Sequence, residues 1–236
     1  MRQFQTELEK NMNFKNSLVF AAHADDEIIG LGGTIAKLSA LGSRVVLVVF
    51  TTGETAYSDI KLKNKIGLIR DEENKKSMKI LGIKEKINLG LPCQGVENTK
   101  EIYQECVRII RKFKPDVIFT HWNKDKHRDH RAISVITEEA RWKATENVLV
   151  DLGKPWYTQY MFFYEILELF TFPSLVVDIT DTFDKKILAM KTQKSQFSVL
   201  PGILNYIEGL AKTRGYMCGT KYAEAFLESN FIPKKM

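Results

Sequence analysis

The chain has 236 residues, of which 44% are hydrophobic and 27% charged, and its formal net charge is +6. This length and hydrophobic content suit one α/β domain with a substantial core. The positive charge is compatible with nucleic acid, an anionic surface or an acidic small substrate, and by itself favours none of them. Three separated cysteines without a CxxC pair argue against a disulfide framework and a cysteine zinc site, and they favour a reducing compartment.

The first 16 residues are polar and mixed in charge, so they lack the apolar centre of a secretory signal. No later run approaches the roughly 20 apolar residues that span a membrane. We therefore expect a cytoplasmic protein without integral membrane association. Its single domain should cover residues 1–236, with residues 1–16 as a loose N-terminal extension.

The first half of the chain alternates strand and helix patterns. Apolar runs predict strands over 18–22, 44–50, 87–90 and 116–120. A glycine-rich turn over 30–34 should lead into a helix from Ile35 to Leu41, and further helices are predicted over 63–81 and 100–113. This alternation predicts right-handed crossovers and a doubly wound, mostly parallel sheet.

The last third contains two more strand-like runs, over 160–164 and 174–178, and helices are predicted around 185–194 and 222–228. Its tyrosines and phenylalanines could stack on a sugar ring, but such residues more often belong to the core. The lysine-rich stretch over 61–86 is interpreted as a solvated helix face. Because acidic residues are interspersed and no nucleic-acid motif accompanies it, nucleic-acid binding is not expected.

Two polar loops contain all four histidines of the chain. The first strand runs into His23 and the acidic residues 25–27, and the fourth runs into a segment with His121, His127 and His130. If these two strands are neighbours where the strand order reverses, both loops open on the same crevice.

The concentration of histidines and carboxylates in these loops favours a metal site over four unrelated structural histidines. Imidazole and carboxylate ligands favour zinc, and three protein ligands with an open position are typical of a catalytic site. A phosphate-binding loop is the competing interpretation of the glycines at 30–33. Their spacing does not match GxGxxG, and the acidic residues before them would repel a pyrophosphate.

At this point the sequence resembles the LmbE-like (PIG-L) family of zinc-dependent N-deacetylases of amino sugars. The first family motif is His23-Ala24-Asp25-Asp26-Glu27 followed by Gly32-Gly33-Thr34. The second is Asp125-Lys126-His127-Arg128-Asp129-His130, and Arg70-Asp71-Glu72-Glu73 lies between them. The resemblance covers nearly the whole chain. It implies a three-layer Rossmann-like sandwich with a mostly parallel sheet in a single domain.

The resemblance also implies a set of site residues. Zinc, or another divalent metal such as Fe2+, would be held by His23, Asp26 and His130. Asp25 would be the general base, and His127 the general acid or the residue that stabilises the oxyanion. Asp129 would orient an imidazole, and Arg70 would contact the substrate.

Simpler interpretations stand beside these roles. Asp25 and Glu27 could only cap a helix, which for Glu27 is the preferred interpretation. Asp129 could be a helix N-cap, and Arg70 could form a surface ion pair with Glu73, three residues further along the helix. His121 has no family role to carry over and is left as a strand-end residue facing the crevice.

The predicted function is removal of an N-acetyl group from an N-acetylglucosamine-type sugar or its conjugate. The chemistry requires hydroxide at neutral pH, which zinc supplies by lowering the pKa of bound water to about 7. The alternatives are a metal-dependent hydrolase of another amide or ester, and a sugar- or nucleotide-binding module without catalysis. The expected partner is a small N-acetylated sugar conjugate, and a homo-oligomer is left open.

Overall fold

Strand β1 (Asn16–Ala21) lies between β2 (Arg44–Thr51) and β4 (Val117–His121) and is parallel to both. The computed structural model describes residues 14–232. Their seven strands have the order β3-β2-β1-β4-β5-β7-β6, with β3 (Glu85–Leu91), β5 (Tyr160–Tyr164), β6 (Leu175–Asp178) and β7 (Ala223–Glu228). Within this sheet, β7 runs antiparallel to its two neighbours β5 and β6 and so opposite to the other six strands. The chain leaves β1 in one direction and returns beside it at β4, so the strand order reverses there, as the predicted crevice requires.

Helices cover both faces of the sheet because side chains of each central strand alternate between them. Val19 of β1 belongs to the core cluster on one face, to which four helices contribute: α1 (Asp26–Ala40), α2 (Ile66–Leu81), α5 (Phe183–Lys191) and α6 (Ile203–Cys218). Its neighbour Phe20 packs on the other face with α3 (Lys100–Phe113) and α4 (Arg128–Thr145). This arrangement confirms the predicted three-layer, mostly parallel α/β sandwich.

Helix α1 differs from the prediction. It begins at Asp26 instead of Ile35, and the predicted glycine-rich turn is reduced to one non-helical residue, Leu31 (φ −147°, ψ 23°). The amides of Gly33 and Thr34, which follow this break, donate to the carboxylate of Glu224 at 2.9 and 2.7 Å. The glycines are needed for close packing, since a Cβ at Gly33 would lie 2.6 Å from a side-chain atom of Ile179.

The predicted helix over 222–228 is wrong, because this segment forms strand β7. Its sequence contains good helix formers, but the segment is largely buried and pairs with both β5 and β6. Helix α6 was not predicted from the sequence. It begins after Gly202 without a side-chain cap, so the usual start signal is absent.

Most of the predicted extension over residues 1–16 lies outside the described residues. Phe14 packs against the core, and Asn16 already begins β1. The lysines of α2 at 75, 76 and 79 are exposed, as expected for a solvated face. Among the described helices, none is both long and apolar enough to cross a lipid bilayer.

Candidate metal centre

The polar loops that follow β1 and β4 meet at the carboxyl edge of the sheet. The ring of His23 lies 4.8 Å from that of His127 and 5.5 Å from that of His130, measured between centroids. His121, the last residue of β4, stacks on His130 at a centroid distance of 3.9 Å. The structure therefore brings the four histidines of the chain into one cluster.

The three residues predicted to hold a metal lie together. His23, Asp26 and His130 each offer one ligand atom, and these atoms all lie within 4.8 Å of one another. Nδ1 of His23 is 3.3 Å from Oδ2 of Asp26, and Nε2 of His130 is 3.5 Å from Oδ1 of the same carboxylate. Two imidazoles and a carboxylate are a donor set that suits zinc. Their role as ligands stays a prediction.

His130 shows most directly that a cation fits this place. Its Nε2 is buried and has no hydrogen-bond partner among the described residues. Its Nδ1 lies 3.0 Å from Oδ1 of Asp125, the arrangement in which a carboxylate fixes the ring of a metal-binding histidine. Asp125 belongs to the second sequence motif, but its role was not predicted from the sequence. Its position five residues before His130 was the available signal.

The charges in the cluster favour the binding of a cation. Burial favours neutral Asp26, but His130, His23 and His121 outweigh this and hold its pKa well below the usual range. Burial lowers the pKa of His130, yet Asp26 and Asp125 raise it to about 9. The carboxylates thus attract protons to neighbouring imidazoles. A cation that binds here would displace these protons.

A second group of three ligand atoms overlaps with the first and consists of His23, His127 and Asp129. Oδ2 of Asp129 is 3.4 Å from Nε2 of His23 and 3.9 Å from Nδ1 of His127, and it accepts the amide of Gln94 at 2.7 Å. Asp129 is therefore placed to orient an imidazole. The alternative that it caps a helix is wrong, because α4 begins at Arg128 and its N-cap is His127, whose Nδ1 accepts the amide of Asp129.

Asp25 and Arg70 form a buried pair at the side of the site. Nη2 of Arg70 donates to Oδ1 of Asp25 at 2.8 Å. The alternative ion pair of Arg70 with Glu73 is not formed, since Glu73 accepts instead from the amide and hydroxyl of Ser195, at 2.9 and 2.6 Å. Asp25 occupies the N-cap position of α1, but its side chain makes no capping hydrogen bond. Both Asp25 and Arg70 line the cavity described below.

Two residues of the loops lie behind the site. Glu27 lies fully buried in the first turn of α1, the position expected for a helix-capping carboxylate, and it also accepts from Nδ2 of Asn74 at 2.7 Å. Burial, assisted by Asp25, raises its pKa to about 8. His121 was expected to face the crevice, but it is 1% exposed and does not line the cavity. Its Nε2 accepts the amide of Ala22 at 2.9 Å. Its ring packs against that of His130, on which it stacks.

One cavity of about 620 Å³ opens onto the cluster. Its polar side contains the following residues: His23, Asp25, Asp26, Arg70, His127 and His130. Cys93 also lines it, with its thiol 3.2 Å from the hydroxyl of Thr51. The loop after β5 and the segment that leads into α6 also line this cavity. A cavity of this size accommodates a small-molecule ligand.

Comparison with known proteins points to one family. Residues 18–141 match the family model described as "GlcNAc-PI de-N-acetylase" (PIG-L). The chain is 32% identical over 230 residues to a diacetylchitobiose deacetylase of Thermococcus kodakarensis. The aligned region covers 93% of this chain and 84% of the relative. It is 31% identical over 169 residues to a 1D-myo-inositol 2-acetamido-2-deoxy-alpha-D-glucopyranoside deacetylase of Streptomyces scabiei, covering 59% and 52% respectively.

A solved structure shows the same similarity along the entire fold. The N,N'-diacetylchitobiose deacetylase of Pyrococcus horikoshii, in complex with its inhibitor MPG, superposes with a TM-score of 0.85 at 25% identity. The match covers 98% of this chain and 92% of that one. These relatives are named deacetylases, in agreement with the hydrolase class expected from the sequence. The chain belongs to the GlcNAc-PI de-N-acetylase (PIG-L) family.

Proposed function

We propose that this chain is a metal-dependent deacetylase that removes the N-acetyl group of an N-acetylglucosamine-type sugar or conjugate. The observation that carries the proposal is the buried Nε2 of His130, which has no hydrogen-bond partner among the described residues and lies 3.5 Å from the carboxylate of Asp26, beside His23. The relatives named above act on acetylated glucosamine derivatives, which supports the same substrate class here.

His23, Asp26 and His130 would hold the metal. We propose zinc, because two imidazoles and one carboxylate leave a fourth position open, although Fe2+ is accepted by the same donors. When bound, the metal would lower the pKa of a water molecule to about 7 and polarise the acetamide carbonyl. Asp125 would keep the ring of His130 in the orientation that binds it.

Asp25 would act as the general base. Arg70 holds its Oδ1 at 2.8 Å and thereby fixes the carboxylate at the cavity wall, next in sequence to the ligand Asp26. A carboxylate fixed in this way takes a proton from the attacking water and can return it to the departing amine. Proton transfer by a positioned side chain contributes about 10²–10⁴-fold to rate.

His127 would donate a hydrogen bond to the developing oxyanion. Its Nδ1 accepts the amide of Asp129 at 3.2 Å, which leaves Nε2 as the protonated nitrogen of a neutral ring. Burial, together with His130 and His23, lowers the pKa of His127. We therefore propose that His127 acts as a neutral imidazole that donates from Nε2. Removing one such donor typically costs 10²–10³-fold in kcat.

The direct test is acetate release by the purified, zinc-loaded protein. Substrates should include free N-acetylglucosamine and its phosphorylated, nucleotide-linked, lipid-linked and β-1,4-linked oligomeric derivatives. We expect at least one to release acetate and free amine in equal amounts, and chelation of the metal to stop the reaction. Absence of turnover on every substrate, with stoichiometric zinc bound, would contradict the proposal. A cytoplasmic location and the oligomeric state stay predictions that this assay does not address.

A further inference from the structure

The cavity of the metal centre has an apolar side that deacetylation itself does not require. We name this side the apolar wall, and it consists of Ile166, Leu167, Val199, Leu200, Pro201 and Ile203. It is continuous with the polar side, which contains Asp25, Arg70 and the imidazoles. An acetamido group is much smaller than a cavity of about 620 Å³, so the wall has room for another part of the substrate.

The outer part of the apolar wall is exposed. Leu167 is 46% and Val199 37% exposed, and Pro201 between Leu200 and the glycine turn at Gly202 is also exposed. Surface loops are usually polar, and exposed apolar side chains that are contiguous and rimmed by polar groups often mark a ligand-binding groove. These exposed side chains therefore indicate a binding surface and not a part of the core.

Hydrogen bonds hold both segments of the apolar wall in place, the loop after β5 and the segment before α6. The carboxylate of Glu73 accepts from the amide and hydroxyl of Ser195 at 2.9 and 2.6 Å. The hydroxyls of Ser58 and Ser198 lie 2.7 Å apart, and this hydrogen bond joins the loop after β2 to the segment before α6. Tyr206 donates to the carbonyl of Ile166, which ties α6 to the loop after β5. A wall fixed in this way binds an apolar group without first paying for its own ordering.

We infer that the apolar wall binds an alkyl or aryl aglycone attached to the amino sugar. This inference rests on the proposed function. The reacting amide must reach Asp26 and His130, which are 4% and 2% exposed at the closed end of the cavity. The exposed members of the wall lie at the mouth. A group that contacts them extends outward from the sugar, whereas the small acetyl group faces the buried metal ligands.

The test compares methyl, butyl and hexyl β-glycosides of N-acetylglucosamine as substrates of the zinc-loaded full-length protein. Burying one methylene group is worth up to about fourfold in affinity. We expect kcat/KM for acetate release to rise on the order of tenfold from the methyl to the hexyl glycoside, mainly through KM. An N-acyl series on the methyl glycoside, from acetyl to hexanoyl, provides the opposite arm.

Two variants connect the effect to the wall. Val199→Thr keeps the shape but adds a hydroxyl, and Leu167→Gln replaces an exposed leucine with a polar chain of similar length. Each should reduce the hexyl-to-methyl ratio of kcat/KM about threefold, by weakening contact with the alkyl chain. Val150→Thr is the matched control, because Val150 is 69% exposed and does not line the cavity; its ratio should equal that of the unmodified protein.

The outcomes separate this inference from the proposed function. Equal kcat/KM across the glycosides, or a ratio that both wall variants leave unchanged, would overturn the apolar aglycone site. A preference for longer N-acyl chains without any dependence on the glycoside would overturn it in favour of an acyl-binding wall. If none of the glycosides, including the methyl compound, releases acetate, the deacetylase proposal itself fails and the inference falls with it.

Discussion

Each histidine of the cluster differs from the others in what its two ring nitrogens contact. His130 directs Nδ1 to Asp125, and its Nε2 has no hydrogen-bond partner in the described part of the chain, whereas His127 uses Nδ1 to accept the amide of Asp129. His121 uses Nε2 to accept the amide of Ala22 and is buried. The buried Nδ1 of His121 also lacks a hydrogen-bond partner among the described residues, but His121 does not line the cavity, whereas His130 does. A free nitrogen that lies at the cavity can bind a cation, and this separates the proposed ligand His130 from His121.

Asp125→Asn should weaken zinc binding without removing a ligand. The amide oxygen can still accept from Nδ1 of His130, but it lacks the charge that makes the ring a stronger donor to the metal. We expect the dissociation constant for zinc to rise about 10–100-fold, measured by competition with a chromophoric chelator. Glu168→Gln is the matched control, since this carboxylate is 41% exposed and belongs to the neighbouring loop. Unchanged zinc affinity in Asp125→Asn would contradict the assignment.

Asp25→Asn tests the division of labour between two adjacent carboxylates. The substitution preserves shape and leaves Asp26 intact, so bound zinc should stay stoichiometric by elemental analysis. Loss of the general base should lower kcat by about 10²–10⁴-fold. If zinc is lost together with activity, Asp25 is a ligand and not the base.

The sequence could predict which residues approach one another, but not what each atom contacts. The family resemblance implied the group His23, Asp26 and His130, and the convergence of strand ends in a doubly wound sheet predicted that their two loops would meet. The pairing of Arg70 with Asp25, instead of with Glu73 on its own helix, depends on how α2 packs against the loop after β1. That packing is tertiary, and no local spacing encodes it.

At the scale of elements, the break in α1 connects the helix that begins at the site to the antiparallel strand β7. Leu31 interrupts the helix, and the freed amides of Gly33 and Thr34 donate to Glu224 of β7. Nζ of Lys186 on α5 donates to the same carboxylate at 2.6 Å. The carboxylate thus caps the second part of α1 with a buried charge that Lys186 balances.

Gly33→Ala should destabilise the protein, although alanine is the better helix former. Its Cβ would lie 2.6 Å from a side-chain atom of Ile179, so β6 and α1 would have to separate. We expect a loss of about 1–3 kcal/mol in the free energy of unfolding, measured with urea. Gly209→Ala in α6 is the control, since a Cβ there meets no atom within 4 Å, and it should gain about 0.5–1 kcal/mol. Equal effects of the two substitutions would contradict the packing argument.

Elements were predictable where local signals agree with tertiary structure. Helix α3 has strong amphipathic spacing, a Thr99 cap and the bounds expected from the sequence. Strand β7 was taken for a helix because alanine, leucine and glutamate favour one locally. Its pairing with β5 and β6, and the burial of Glu224 against Lys186, determine the strand, and neither is visible in a single segment.

At the scale of the whole molecule, the site depends on the return of the chain beside β1. The connection from β3 through α3 to β4 crosses the sheet and places the two polar loops at one edge. No hydrogen bond of the β1–β4 ladder extends into these loops, because the paired residues end at Val19 and Phe119. A cation bound by His23, Asp26 and His130 would therefore join both halves of the molecule beyond the end of the ladder.

Zinc should consequently stabilise the fold, and the variants that abolish this effect identify the group that binds it. At a free concentration 100 times the dissociation constant, a ligand that binds only the folded state adds about 2.7 kcal/mol. For a chain of this length that corresponds to a rise in Tm of about 5–10 °C relative to metal-free protein. His130→Asn removes a proposed ligand and should abolish most of the rise. His127→Asn, which keeps a good N-cap residue at the start of α4, should retain it. If His127→Asn loses the rise and His130→Asn keeps it, the metal is held by His23, His127 and Asp129, and the proposed ligand set is wrong.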